Sequence, residues 1–306
     1  MWATVQRKAK PTTLPQVSAI ISTYNSEKFL RGCLEDLVNQ TLYKKGKLEI
    51  IIIDSASEEK EGAIAQEFQT KYSQIIYQRT PERESIYAAW NRGIKIAKGN
   101  YITNANTDDR HRPDALEFMA NYLDNNPQTS LVYGDQLVTT FPNDSWATTQ
   151  ANKCWNWPEF DYQELERRCI IGPQPMWRKS LHEIYGYFRS EFRVAGDYEF
   201  WLRIGKNEKF VRLPEILGLY FENEKGLEKG GERAKEETDD ICNEYGIFQR
   251  GVKRKISVTT QISSAELMTL PYRQIIGGSQ RSKVKNSQYE PIDFLSRSDL
   301  VSVIIY

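Results

Sequence analysis

Four places in this 306-residue chain carry polar, reactive side chains in settings where they could do chemistry. Three of them follow apolar runs directly: Ser22-Thr23-Tyr24-Asn25 after VSAII, Asp54-Ser55-Ala56-Ser57 after EIIII, and Asn106-Thr107-Asp108-Asp109 after YITNA. The fourth is Asp197, in GDYEFWLRI. Adjacent carboxylates such as Asp108 and Asp109 suit Mg²⁺ or Mn²⁺, ions that take one or two protein carboxylates and leave their other positions to water and phosphate oxygens. An ion held there would neutralise charge developing on a diphosphate leaving group. The alternative is a pair of acids favouring the dipole of the helix that starts at Pro113. A single carboxylate such as Asp197 could take the proton of an attacking hydroxyl, which is too weak an acid to lose it unaided. The alternative there is a helix N-cap after Gly196.

The elements that must position these residues are legible as an alternation. Val17–Ser22, Ile50–Ile53, Gln74–Tyr77 and Tyr101–Ala105 are short, apolar or β-branched runs that predict strands. Glu27–Asn39, with Phe29, Leu30, Leu34, Leu37 and Val38 at helical spacing, predicts a helix, as do Glu58–Tyr72, Ser85–Ala97 and Asp114–Leu123. Strand and helix in turn at this spacing imply an α/β fold whose central sheet is mostly parallel, with helices on both faces. In such sheets ligands bind at the carboxyl ends of the strands, where the three polar clusters fall. The second half is less regular: a strand over Leu131–Thr140, a loop over Phe141–Pro158, short strands at Met176–Arg178 and around Pro214, and a helix over Asp197–Ile204. Asn223–Arg250 is charged and helical, a packing arm rather than a catalytic unit.

Bulk composition narrows the function classes. Hydrophobic residues make up 40% and charged residues 27%, as in a globular chain with a normal core. Lys+Arg and Asp+Glu both number 41, so no net basic field exists to hold nucleic acid by counterion release. Cys33, Cys154, Cys169 and Cys242 form no CxxC pair and are expected to be buried, reduced thiols. The polar start and the lack of any run near 18 apolar residues lead to the expectation of a soluble, cytoplasmic protein, with a peripheral position on a membrane left open.

Glu84–Leu116 (ESIYAAWNRGIKIAKGNYITNANTDDRHRPDAL) resembles the core of the family 2 glycosyltransferases. VSAIISTYNSEKFLRGCLEDLVNQ and EIIIIDSAS before it, and GDYEFWLRI after it, are similar to further motifs of that family in the same order, over residues 16–220. The resemblance implies the GT-A nucleotide-diphospho-sugar transferase fold and an inverting enzyme that moves a sugar from a nucleotide diphosphate onto an acceptor hydroxyl, in polysaccharide or glycan biosynthesis. It implies that Asp54 contacts the base, that Thr23 and Asn25 line the same pocket, and that Asn91 holds the nucleotide side. It makes Asp108 the metal-ligating aspartate, followed by Asp109, and Asp197 the catalytic base. The chain departs from the family in two places: Asn106 stands at the first acidic position of the metal motif, where it could bond the ribose, and Ser55 replaces a second Asp. The implied cofactor is Mn²⁺ or Mg²⁺, the donor a UDP-sugar in preference to a GDP-sugar, and the acceptor a saccharide or lipid-linked saccharide.

Gln174 and Trp177 lie where the family has an acceptor-side strand, with plain packing the equal alternative. Trp146, Trp155 and Trp157 could stack on a sugar, although large aromatics more often fill cores. His111 is expected to face solvent, and His182 makes a weak metal case. Two other readings compete: a nucleotidyltransferase, disfavoured because TYNSEKFL has no glycine run to cradle a triphosphate, and a non-catalytic sugar-nucleotide-binding module. The expected organisation is an arm over 1–15, the transferase domain over 16–220 and a charged helical extension or linker over 221–300. VSVIIY at 301–306 echoes Val17–Tyr24, which predicts the start of a second similar domain, a strand joining the sheet being the alternative.

Overall fold

The computed structural model describes residues 14–223 and 231–247. Residues 1–13 of the N-terminal arm, the echo at 301–306 and most of the extension lie outside them. The chain begins β1 (Val17–Thr23), α1 (Glu27–Asn39), α2 (Thr41–Lys44), β2 (Leu48–Asp54), α3 (Glu61–Lys71), β3 (Ile75–Arg79), α4 (Ile86–Ile96), β4 (Tyr101–Asn104). It continues β5 (Arg110–His111), α5 (Ala115–Asn125), β6 (Leu131–Thr139), β7 (Lys153–Trp155), α6 (Tyr162–Arg167), β8 (Met176–Arg178), α7 (Leu181–Tyr185), α8 (Gly196–Gly205), β9 (Phe210–Phe221), α9 (Gly231–Glu244).

The strands form one mixed sheet in the order β3-β2-β1-β4-β8-β6-β9-β5, with β7 on β6. The first four are parallel, in keeping with the expectation from sequence. β8 runs antiparallel between β4 and β6. Every residue of β2 is buried, as a strand covered on both faces requires. Side chains alternate between two cores. Ile20, Ile51, Ile53 and Ile102 face the aromatic cluster of α4 and α8, whereas Ala19, Ile21, Ile50 and Ile52 face α1, α3 and α5. Pro214 falls where the β6–β9 register slips from Gly134↔Leu213 to Asp135↔Ile216, a bulge in which the missing proline N–H costs no ladder bond.

This topology creates the site. β1 lies between β2 and β4, so the chain's crossovers leave in opposite directions from it and open a crevice at the carboxyl ends of β1 and β4. Thr23 ends β1, Asp54 ends β2, and the turn 105–109 follows β4.

Candidate active site

At the end of β2 the Asp54 carboxylate is buried and amply supplied with donors. Its Oδ1 accepts from the Ser57 amide at 2.8 Å, and its Oδ2 from the Tyr77 hydroxyl at 2.6 Å and from Arg79 at 3.1 Å. Burial alone would raise this carboxyl, but Tyr77, Ser57 and Arg79 outweigh it and hold it below its ordinary value. The parallel register pairs Asp54 with Arg79, so the ion pair follows from strand alignment. With no exposed surface on Asp54, a base could reach it only if Tyr77 or Arg79 moved aside. The loops beyond β1 and β2 are backbone-constrained: Asn25 and Ala56 both hold positive φ, at 49° and 58°. Asn25 ties the loops together, its amide donating to the Ser57 hydroxyl and its Oδ1 accepting from the Glu58 amide. Thr23 is buried beside them, and its hydroxyl has no hydrogen-bond partner among the described residues. Neighbouring Tyr24 carries the Arg83 guanidinium 4.0 Å above its ring.

The turn after β4 separates the two aspartates. Asp109 is buried, and both its oxygens are occupied: Oδ1 accepts from the Phe221 amide at 3.1 Å and Oδ2 from Asn106 Nδ2 at 2.9 Å. It pins the end of β9 to the turn. Burial and the charge of Asp108 push its carboxyl well above the ordinary range. Asp108 keeps partial exposure. Asn106 also accepts from Asn104 Nδ2 at 3.2 Å, which gives the departure from the family motif a physical reason. An amide at 106 donates to Asp109, where a carboxylate would face it with a second buried charge. Neither aspartate caps α5, whose N-cap is Asp114. Arg110 braces the turn, donating to the carbonyls of Thr107 and Asp109 and to Asn143 Oδ1. Among the described residues no three His, Cys, Asp or Glu side chains converge as a self-sufficient metal cage. The donor set fits a cation held by one carboxylate and completed by phosphate oxygens, the habit of Mg²⁺ and Mn²⁺ with nucleotides.

Asp197 lies in the first turn of α8 and has no exposed surface. Its Oδ1 accepts from the Tyr198 amide at 2.8 Å and lies 2.9 Å from the Tyr87 hydroxyl. That hydroxyl also donates to the Val194 carbonyl at 2.7 Å, so one proton serves two acceptors. Oδ2 is buried without a hydrogen-bond partner among the described residues. Burial drives the Asp197 carboxyl up to about 7 against the pull of Tyr198 and Tyr87, with Glu237 adding like charge. The N-cap of α8 is Ala195, so the capping alternative for Asp197 does not describe its contacts. Gly196 permits this closeness, since a Cβ there would lie 2.7 Å from the Tyr87 ring.

Several expected residues have other tasks. Asn91 is turned to the protein: its Nδ2 donates to the Phe188 carbonyl and its Oδ1 accepts from the Phe188 amide, so it clamps the segment leading to α8. Gln174 is fully buried and donates to the Arg110 carbonyl, a packing role between β5 and β9. Trp177 is 1% exposed, within an aromatic cluster with Phe188 and Trp201, contacts that match the packing alternative. His111 does not face solvent: it is buried in β5, its backbone N–H bonded to Asp36 at 2.8 Å. His182 is buried too, stacked on Phe200 and held down to about 4 by burial. Its Nε2 accepts from Trp177, so the proton sits on Nδ1 and faces the Gly186 carbonyl. Trp157 is core and bonds Gln136, and half-buried Trp155 stacks on Tyr220 at 4.5 Å. All four cysteines are free and buried, as the sequence led one to expect. Among the described residues no helix is long and apolar enough to cross a membrane.

With this geometry in place, comparisons with known proteins converge on one class. The glycosyl transferase family 2 model matches residues 18–186, more than half of the chain, and the chain belongs to that family. It is a glycosyltransferase with the GT-A fold. An uncharacterized glycosyltransferase of Methanocaldococcus jannaschii is 27% identical over 208 residues, 67% of this chain and 70% of that protein. The poly(ribitol-phosphate) beta-glucosyltransferase of Bacillus spizizenii is 30% identical over 211 residues, 67% of this chain but only 32% of that protein. Among solved structures, S. aureus TarS in complex with UDP-GlcNAc superposes with a TM-score of 0.60 at 18% identity, over 74% of this chain and 64% of that one. The Pyrobaculum calidifontis mannosyltransferase PcManGT, in complex with GDP-Man and Mn²⁺, gives 0.58 at 16%, over 81% and 68%. The family match ends before Asp197 and does not itself cover α8 and α9.

Proposed function

We propose that the chain transfers a sugar, with inversion, from a UDP-sugar to a hydroxyl of a saccharide or lipid-linked saccharide, with Asp197 as the base. The observation that carries this reading is the state of Asp197: one oxygen is fixed by Tyr198 and Tyr87, and the other is buried without a partner. Its carboxyl, raised to about 7, can hold or release a proton near neutrality, as a general base must. Complete burial shields it from bulk water, which would otherwise compete with the acceptor. An acceptor hydroxyl must displace that cover before it reaches Oδ2.

The nucleotide would lie across the ends of β1 and β2. There the Thr23 hydroxyl is left to a ligand, and Asn25 and Asp54 hold the loops in shape. Asp108 would hold a divalent cation, which when bound would neutralise the diphosphate. Asn106 and Asp109 keep Asp108's turn in place. Solved relatives with different bases fit the same fold, so the preference for UDP rests on family likeness.

Calorimetric titration of UDP and GDP, with Mn²⁺ and then with EDTA, tests the nucleotide half of this reading. Metal-dependent binding of UDP is the expected result. Absence of binding by either nucleotide to folded protein would favour a module that kept the fold without the chemistry.

A further inference from the structure

The segment that leads into Asp197 is anchored from outside the sheet. Three consecutive amides, Arg193, Val194 and Ala195, converge on one carboxylate, Glu237 of α9. The distances are 3.0 and 3.1 Å from Arg193 to its two oxygens, 2.8 Å from Val194 and 3.0 Å from Ala195. Ala195 is the N-cap of α8 and offers no capping side chain. Glu237 therefore supplies charge-assisted acceptors to a stretch that cannot satisfy itself. The carboxylate is 7% exposed and is steadied by Arg233 Nε at 3.0 Å.

The connection to the chemistry is short. Val194, held by its amide to Glu237, receives the Tyr87 hydroxyl on its carbonyl, and that same hydroxyl lies on Asp197 Oδ1. Only Gly196 separates Ala195 from Asp197, so any slack in 193–195 reaches the carboxylate directly. α9 is seated independently of this contact: Ala234 and Ile241 enter the aromatic core, Tyr245 bonds Glu199 of α8 at 2.8 Å, and Arg189 pairs with Glu244 at 2.6 Å.

We propose that α9 is part of the acceptor side of the site, with Glu237 the positioning residue that holds the 193–195 segment so that Asp197 presents Oδ2 to the acceptor. This rests on the reading of Asp197 as the base. A charged C-terminal helix thereby acts as the brace of the catalytic carboxylate, without touching substrate.

The test measures nucleotide release from UDP-N-acetylglucosamine, UDP-glucose and GDP-mannose with a panel of saccharide acceptors, alongside UDP and GDP affinity, in the full chain. In Glu237→Ala, kcat is expected to fall at least about 10-fold while nucleotide Kd stays within about 2-fold, because a small misplacement of a reacting group is costly to rate. Glu237→Gln should restore most of the loss, since its Oε1 still accepts from these amides. Unchanged kcat in Glu237→Ala, a parallel loss of nucleotide affinity, or no recovery with Gln would overturn the proposal. Should Glu237→Ala fail to fold, half-exposed Arg233→Ala loosens the same carboxylate, and unchanged kcat in that variant would overturn it instead. Asp197→Asn, run beside them, separates two failures. If it is inactive while Glu237→Ala is unaffected, only the brace is wrong; if it is fully active, the base assignment falls and the brace with it.

Discussion

Asp54 and Asp197 are the same residue type, both without exposed surface, and their carboxyls are displaced in opposite directions. Asp54 ends a parallel strand whose neighbour presents Tyr77 and Arg79 along the register, and three donors outweigh its burial. Asp197 lies in the first turn of a helix with only Tyr198 and a shared Tyr87 proton on one oxygen, and burial wins. Asp54 is less deeply enclosed and has the Arg79 cation beside it, whereas Asp197 is deeply enclosed near the like charge of Glu237. Depth and partners together set the opposite directions. On the proposed reading, the donor half is built from fixed charges and tied loops, and the acceptor half keeps one oxygen, Asp197 Oδ2, in reserve.

The largest expected effect breaks the acceptor side of this contrast. Asp197→Asn keeps the shape and removes the base, so kcat for transfer should fall about 10²- to 10⁴-fold. Nucleotide affinity, measured by calorimetry, should stay near the wild-type value. Equal losses in both would mean that Asp197 serves the fold and not the proton.

The same variant should be more stable than the wild type in alkali. A rise from the ordinary 3.8 to about 7 means that the folded state binds the Asp197 proton more tightly than the unfolded chain. Wild-type stability should therefore fall as pH rises between these two values. At about 1.4 kcal/mol per tenfold, the full cost of ionising it is up to about 4 kcal/mol. Urea unfolding of wild type and Asp197→Asn should show a gap in favour of Asn at about pH 8 that shrinks at about pH 5. A gap independent of pH would show that Asp197 is not the titrating group.

How much of this was legible in the sequence also divides between the halves. In the donor half, β-branched runs and helical spacing placed β1 to β4 and their helices, and α1 has the expected bounds Glu27–Asn39. The polar strand-end clusters followed from the rule that parallel sheets bind ligands at their carboxyl ends. Individual side-chain directions were less legible. Asn91 belongs to a motif of the nucleotide half, yet its amide faces Phe188, 97 residues on. Tyr77 and Arg79 were readable in principle, because aligning β2 with β3 puts Arg79 beside Asp54. In the acceptor half the deciding contacts are long-range: His111 sits in a two-residue strand that exists only by pairing with Gly218 and Leu219. Glu237 meets amides 42 to 44 positions away. A charged helix reads from sequence as a solvated packing arm, and nothing in its own spacing marks one glutamate as a brace.

A smaller effect should follow from restoring the family's acid at the start of the metal motif. Asn106→Asp removes the donor to Asp109 Oδ2 and sets a second buried carboxylate 2.9 Å from it. The loss in unfolding free energy should be about 1–3 kcal/mol. It should be larger at about pH 8 than at about pH 5, where one proton can be shared between the two carboxyls. A neutral or stabilising substitution would show that the turn tolerates charge there, and that Asn106 is not what keeps Asp109 in place.

The smallest expected effect sharpens the donor side. Tyr77→Phe deletes one of three donors to Asp54 and leaves Ser57 and Arg79. The expected loss is about 1 kcal/mol, the worth of one hydrogen bond. Its sign with pH is opposite to that of Asp197. The Asp54 carboxyl lies below its ordinary value when folded, so its contribution is present above the unfolded value and is lost as pH falls through the folded one. The wild-type advantage over Tyr77→Phe should therefore be full at about pH 6 and should narrow towards about pH 3. If the advantage instead persisted in acid, the Tyr77 hydroxyl would be serving the strand and not the charge. Asp54 would then be a carboxylate left to a ligand rather than one already held by the protein.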